Sequence, residues 1–261
     1  MAANDITSFN ELVEKVFSDK SGILYHHTSY ESLVMILKGR SFRLSRYDLM
    51  NDIAEKELSR CQDGDSRYIV SFTGAKAESV AMWALYGKKS SLKLRLSFPR
   101  DTLIKSVRNN FYFDPQLTNR IPIWDTNTIN RDASKKGFSL SDVVYFDRDK
   151  KQFRLSGKPI TSFETSEQMI ADLAGTIKYD AWEYEREARL SVVLHQEPSS
   201  LSEITHIYAG LTDDLIQKMT VTYSPWISET LFQVLSENID ALAGCKLTHK
   251  KSTLHGEITE L

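Results

Sequence analysis

The run Leu92-Lys93-Leu94-Arg95-Leu96-Ser97-Phe98 alternates apolar and polar residues without a break. A side-chain period of two commits such a stretch to a strand with one buried face. Ser41–Arg46 alternates in the same way, and Tyr68–Thr73, Val143–Phe146, Ala188–Leu194 and Ile204–Gly210 read as further strands. Cys245–Lys251 and Glu257–Leu261 are expected to close the sheet structure. Apolar helical spacing marks residues 7–19, the segment after Thr28, residues 166–177, a short stretch from Leu211 to Met219, and Pro225–Leu242 with Ile227, Leu231, Val234 and Leu235 inward, while Met82 and Tyr86 lie one turn apart. Strands outnumber helices and strict strand–helix alternation is missing, which predicts an α+β fold rather than a doubly wound sheet.

At 261 residues the chain is compatible with a single domain over 1–261 that buries a substantial core. Residues 108–165 read as a loop-rich insertion, a lid or a recognition loop, with only Val143–Phe146 strand-like. The net charge of -2 argues against wholesale electrostatic capture of nucleic acid. Local clusters remain: Lys88, Lys89, Lys93 and Arg95, and the aromatic-interleaved Arg148, Lys150 and Arg154. Two cysteines, Cys61 and Cys245, make neither a disulfide framework nor a metal quartet. The first residues have no signal-peptide pattern, and no window approaches the roughly 18 unbroken apolar residues of a membrane helix. A cytoplasmic protein with no membrane partner is the expectation.

The stretch Leu24-Tyr25-His26-His27-Thr28-Ser29 is expected to be a short strand, Ile23 to Tyr25, ending in two histidines and feeding an amphipathic helix. Thr28 and Glu31 have capping-box spacing, which starts the helix at Thr28; Leu33, Ile36 and Leu37 form its inner face and Gly39 its stop. Neighbouring residues on a strand point to opposite faces, so His26 and His27 are poor co-ligands and no metal is expected. Asn51-Asp52 marks a turn, followed by a charged helix and loop over residues 55–65. Met82, Trp83 and Tyr86 form an aromatic segment that reads most simply as core. Near residue 188, alternation places Glu187 and Arg189 on one face, while Glu185 and Arg189 would form an i, i+4 pair if helical.

In this order, Leu-Tyr-His-x-Thr-Ser, Phe42-Arg43-Leu44-Ser45-Arg46 with Asn51-Asp52, Met82-Trp83-x-x-Tyr86 and Trp182-x-Tyr184-Glu185-x-Glu187-x-Arg189-Leu190 resemble a widespread bacterial family catalogued as a domain of unknown function. That family is distantly similar to the ADP-ribosyltransferase fold. The resemblance implies a split β-sheet core with flanking helices and NAD as co-substrate, with no metal. His26, His27, Thr28, Arg46, Ser71, Trp83 and Tyr86 would contact NAD, with Arg43 a second candidate for the pyrophosphate. The catalytic set would be Glu187, His26 and Tyr86, with Glu185 an alternative to Glu187. His27 stands where those enzymes carry Gly, which alters how closely a cofactor approaches the backbone.

The residue types suit that chemistry. Cleaving NAD at the nicotinamide–ribose bond passes through an oxocarbenium-like state, which a fixed carboxylate stabilises. Cationic nicotinamide is attracted to an aromatic face such as Tyr86 or Trp83, and guanidinium suits a pyrophosphate. The acceptor expected is a macromolecule, RNA or protein, in a toxin, toxin–antitoxin or phage-defence setting that includes a neutralising antitoxin. The alternatives are a non-catalytic NAD or ADP-ribose binding module and an NAD glycohydrolase.

Overall fold

A computed structural model describes residues 6–18, 21–50, 65–86, 92–108, 110–113, 121–122, 131–132, 135–136, 138–195 and 204–258. In chain order the main elements are α1 (Phe9–Phe17), β1 (Ile23–Ser29), α2 (Tyr30–Gly39), β2 (Ser41–Arg46), β3 (Asp65–Thr73), α3 (Val80–Leu85), β4 (Lys93–Pro99), α4 (Arg100–Val107) and β5 (Phe111–Phe113). They continue with β6 (Phe138–Asp142), β7 (Val144–Asp147), β8 (Gln152–Leu155), α5 (Glu167–Asp172), β9 (Ile177–Tyr179) and β10 (Glu187–His195). The last are β11 (His206–Gly210), α6 (Asp213–Gln217), β12 (Thr220–Tyr223), α7 (Glu229–Ala243) and β13 (Thr248–Lys251). The class is α+β, as the missing alternation predicts. Two compact units make it up, one from Met1–Asp19, Leu44–Ser71 and Phe113–Ile207, the other from Lys20–Arg43, Phe72–Tyr112 and Tyr208–Leu261.

In the first unit, Ser8 caps α1 by accepting from the Glu11 amide, and Leu12 and Val16 are fully buried. They join Val144, Phe146, Phe153, Leu155, Leu173 and Ile177 in one core. Burying such a side chain stabilises by about 1.5–3 kcal/mol. β7 pairs antiparallel with β8 and parallel with β9, and all four of its residues are buried. β10 pairs with β6 over Ala188–Val192 and also with β3. Within 108–165 the described residues hold β5, β6 and β8 besides the expected β7. β6 and β8 carry Ser139, Ser141, Gln152 and Arg154 between their apolar residues, so they lack the apolar run that reveals a strand in sequence.

The second unit has a sheet in the order β13-β12-β4-β1, with β1 and β4 in full antiparallel register from Ile23↔Pro99 to Ser29↔Lys93 and Tyr25 paired with Thr73. This ladder corrects the expected end of the first strand. Thr28 and Ser29 are still paired, opposite Leu94 and Lys93, so the histidines lie inside the strand rather than at its end. With the Thr28 backbone committed to the ladder, Ser29 is the cap that accepts from the Ser32 amide. The stop is not Gly39 but Arg40, a non-glycine in the left-handed region at φ 45, whose guanidinium pairs with Asp213 at 2.6 Å. On α7 the inward positions are Leu235, Ile239 and Ala243, whereas Leu231 and Val234 are exposed. Residue 257 lies in a turn rather than a closing strand, and residues 259–261 fall outside the described set. So do Asn51-Asp52 and the charged stretch beyond them to residue 64. No helix among the described residues is long and apolar enough to cross a membrane.

Candidate active site

β10 starts where a short 3₁₀ helix, Asp180–Glu185, ends, and the residue between them, Arg186, sits in the left-handed region at φ 43 and ψ 53. That single reversal turns Glu185 and Glu187 toward the same ammonium. Lys178 Nζ on β9 donates to Glu185 Oε2 at 2.6 Å and to Glu187 Oε2 at 3.2 Å. Two residues along β10 and on the same face, Arg189 grips Glu187 with two bonds, Nε to Oε1 at 2.8 Å and Nη2 to Oε2 at 3.0 Å. Arg189 Nη1 also donates to the Gly175 carbonyl at 3.0 Å. The Glu187 amide donates to the Tyr145 hydroxyl at 2.8 Å. Ser71 of β3 hydrogen-bonds the Glu187 carboxylate as well.

This cluster is buried and charge-balanced, with two cations matched to two carboxylates. Burial alone would raise the Glu187 pKa. The Arg189 charge and hydrogen bonds, then Lys178 and Ser71, outweigh it and hold the carboxyl at about 2. For Lys178, burial lowers the pKa, but Glu187 and Glu185 raise it further, so the amine stays charged. Arg189 is 1% exposed and the Glu187 side chain 3%. The i, i+4 helical pairing of Glu185 with Arg189 is not the geometry found: Glu185 meets Lys178, and Arg189 meets Glu187. Lys178 and Tyr145 were not among the expected site residues. Neither has a local sequence signal, because parallel pairing across Tyr145↔Lys178 brings them together.

Arg46 belongs to the same unit, where its Nε contacts Asp48 at 2.7 Å. Arg43, counted with the other unit, is exposed.

In the second unit, alternation sends the two histidines to different neighbours. His26 is half-buried between the rings of Phe42 and Phe72, each at 5.5 Å. The His27 ring meets Trp83 edge-on at 4.9 Å, and its Nδ1 is buried with no hydrogen-bond partner among the described residues. Burial, then the charges of Arg95 and His26, bring the His27 pKa down to about 3. Thr28 is buried, Trp83 is fully buried and Tyr86 is half-buried. The core reading of Trp83 therefore describes its packing.

The basic cluster near Lys93 is also corrected. Arg95 is buried, stacked 3.7 Å from the Tyr25 ring centroid, and donates to the Ala75 and Lys76 carbonyls. Lys93 Nζ caps the carbonyls of Trp83 and Ala84 at 2.8 and 3.1 Å. Lys88 and Lys89 lie outside the described residues. In the first unit, Arg148 stacks on Tyr179 at 3.4 Å, Lys150 pairs with Asp147 at 3.2 Å, and Arg154 pairs with Glu183 at 2.8 Å. No group of three or more His, Cys, Asp or Glu suited to a metal occurs among the described residues. No protein-family model, curated protein or solved structure matches the chain.

Proposed function

We propose that the chain is an NAD-dependent ADP-ribosyltransferase that modifies RNA or protein, in a toxin or phage-defence role, with Glu187 as the carboxylate that meets the developing positive charge. One observation carries this reading. Ser71 and Glu187, far apart in sequence and both assigned to the site by resemblance, share a hydrogen bond, with Glu187 held ionised at about 2. A carboxylate that stabilises an oxocarbenium must be ionised and fixed in place, and the Arg189 fork and Lys178 supply both properties. A toxin of this kind would be produced alongside a neutralising partner.

Each unit encloses its own share of these residues: in the first the Glu187 carboxylate is saturated, and in the second the Trp83 ring is buried. That burial favours the second reading, a non-catalytic NAD or ADP-ribose binding module in which the cluster only supports the fold. Purified protein incubated with adenylate-labelled NAD and whole-cell lysate separates the two, with Glu187→Gln run beside wild type. Removing one partner of a buried ion pair costs about 3–5 kcal/mol, so both proteins are compared below their melting midpoints. Label in RNA or protein, reduced roughly 10²-fold or more in the variant, is the expected result. Nicotinamide release without labelled macromolecule indicates a glycohydrolase, and binding without turnover indicates the module. If NAD is neither bound nor consumed, the NAD reading ends.

A further inference from the structure

Helix α3 has six residues, too few for helix formation to hold it in place by itself. Tethers help to set its position: the Lys93 ammonium on the Trp83 and Ala84 carbonyls, and the Glu78 carboxylate. This carboxylate, in the connection before α3, takes four donors. Trp83 Nε1 reaches Oε2 at 2.9 Å, and the Ser252 hydroxyl reaches the same oxygen. The Thr253 amide and hydroxyl reach Oε1 at 2.9 and 3.0 Å. A carboxylate offers about four acceptor positions, so Glu78 is saturated. Burial pushes its pKa up, but the bonds from Ser252, Thr253 and Trp83 hold it below the usual range.

The turn at residues 252–255 is built for this grip. The Ser252 amide donates to the Tyr223 carbonyl at 3.0 Å, and its hydroxyl accepts from Leu254 at 3.0 Å while donating to Glu78. His255 Nδ1 anchors the far side, 2.8 Å from the Pro225 carbonyl. Thr253 is exposed, whereas Trp83 and Ser252 are buried. The grip therefore ties an exposed turn residue to the enclosed indole through one carboxylate.

We infer that the turn at 252–255 is a strap which, gripped by Glu78, closes Trp83 and His27 off from ligand, and that its release opens them. The inhibitory consequence rests on the transferase reading, in which Trp83 stacks on nicotinamide, a role its burial denies. The strap itself does not depend on that reading.

His27 is the reporter. In wild type its enclosed imidazole stays neutral across the physiological range, and in an opened protein it titrates like an ordinary histidine. Arg95 and His26 oppose protonation of this ring, while Glu78 favours it. Removing the Glu78 charge without opening would therefore push the His27 pKa lower still. In Glu78→Gln a rise therefore reports opening and nothing electrostatic.

Ring-carbon NMR titrations compare wild type, Glu78→Gln and a Ser252→Ala/Thr253→Ala double variant, alongside titration calorimetry with NAD. Glu78→Gln removes the charge and one acceptor oxygen, the double variant removes the two hydroxyl donors, and the remaining histidines verify the fold. Expected is a His27 titration within about one unit of 6.5 in both variants, with NAD affinity rising at least threefold. A silent His27 in either folded variant overturns the strap. Titration with NAD affinity unchanged or weakened overturns its inhibitory role. Titration with no NAD binding by any form upholds the strap and defeats the transferase reading.

Discussion

The adjacent imidazoles of β1 have different electrostatic fates. His26 lies half-buried between phenylalanine rings. His27 faces Trp83 with a buried, unpartnered Nδ1, and its pKa falls from 6.5 to about 3. The folded state therefore binds a proton at His27 less readily than the unfolded chain does. Stability from this residue is complete above about pH 6.5 and drains away as pH falls toward 3, at about 1.4 kcal/mol per pH unit. Urea denaturation of wild type and His27→Phe at stepped pH tests this, since Phe keeps a ring against Trp83 but has no proton to gain. The stability of wild type relative to the variant should fall with that slope below pH 6.5 and stay level above it. A level difference down to pH 4 would mean that the ring is not shielded.

At the scale of elements, the candidate site depends on one backbone reversal. Arg186 is exposed, so its side chain adds little, but its left-handed conformation points Glu185 and Glu187 at Lys178. Glycine adopts that conformation without a Cβ penalty of about 1–2 kcal/mol, at a somewhat larger loss of unfolded-chain entropy. Arg186→Gly should thus leave stability within about 1 kcal/mol of wild type. A β-branched residue is a genuine outlier there, and Arg186→Val should cost about 1–2 kcal/mol or more. Equal denaturation midpoints for the two variants would show that the reversal relaxes freely. This turn was illegible in the sequence, because nothing about an arginine between two glutamates announces a positive φ. What was legible is the period-two alternation: it put Glu187 and Arg189 on one face, and they form a bidentate pair. Helix caps were read one residue out where a ladder had already claimed the backbone, as at Thr28. Strands with serine-rich faces, such as β6, gave no signal, since their burial depends on partners distant in sequence.

For the whole molecule, the path of the chain matters more than any single contact. It passes between the two units five times, at residues 19–20, 43–44, 71–72, 112–113 and 207–208. Four of those passages fall inside strands, within β2, β3, β5 and β11. A composition-level reading expected one domain over the full length, and interleaving of this kind has no compositional signature: no linker, repeat or charge shift marks the passages. It has a thermodynamic one. Melting either unit would free three separate segments and fray strands that continue into the other, so neither has an independent unfolding path. Calorimetry should show one transition with the van 't Hoff and calorimetric enthalpies equal. Leu12→Ala in the first unit and Val221→Ala in the second, both at fully buried positions, should each lower the same midpoint. The leucine truncation should cost about 2–5 kcal/mol. Two separated transitions, each moved by only one of these substitutions, would show instead that the units fold autonomously despite the shared strands.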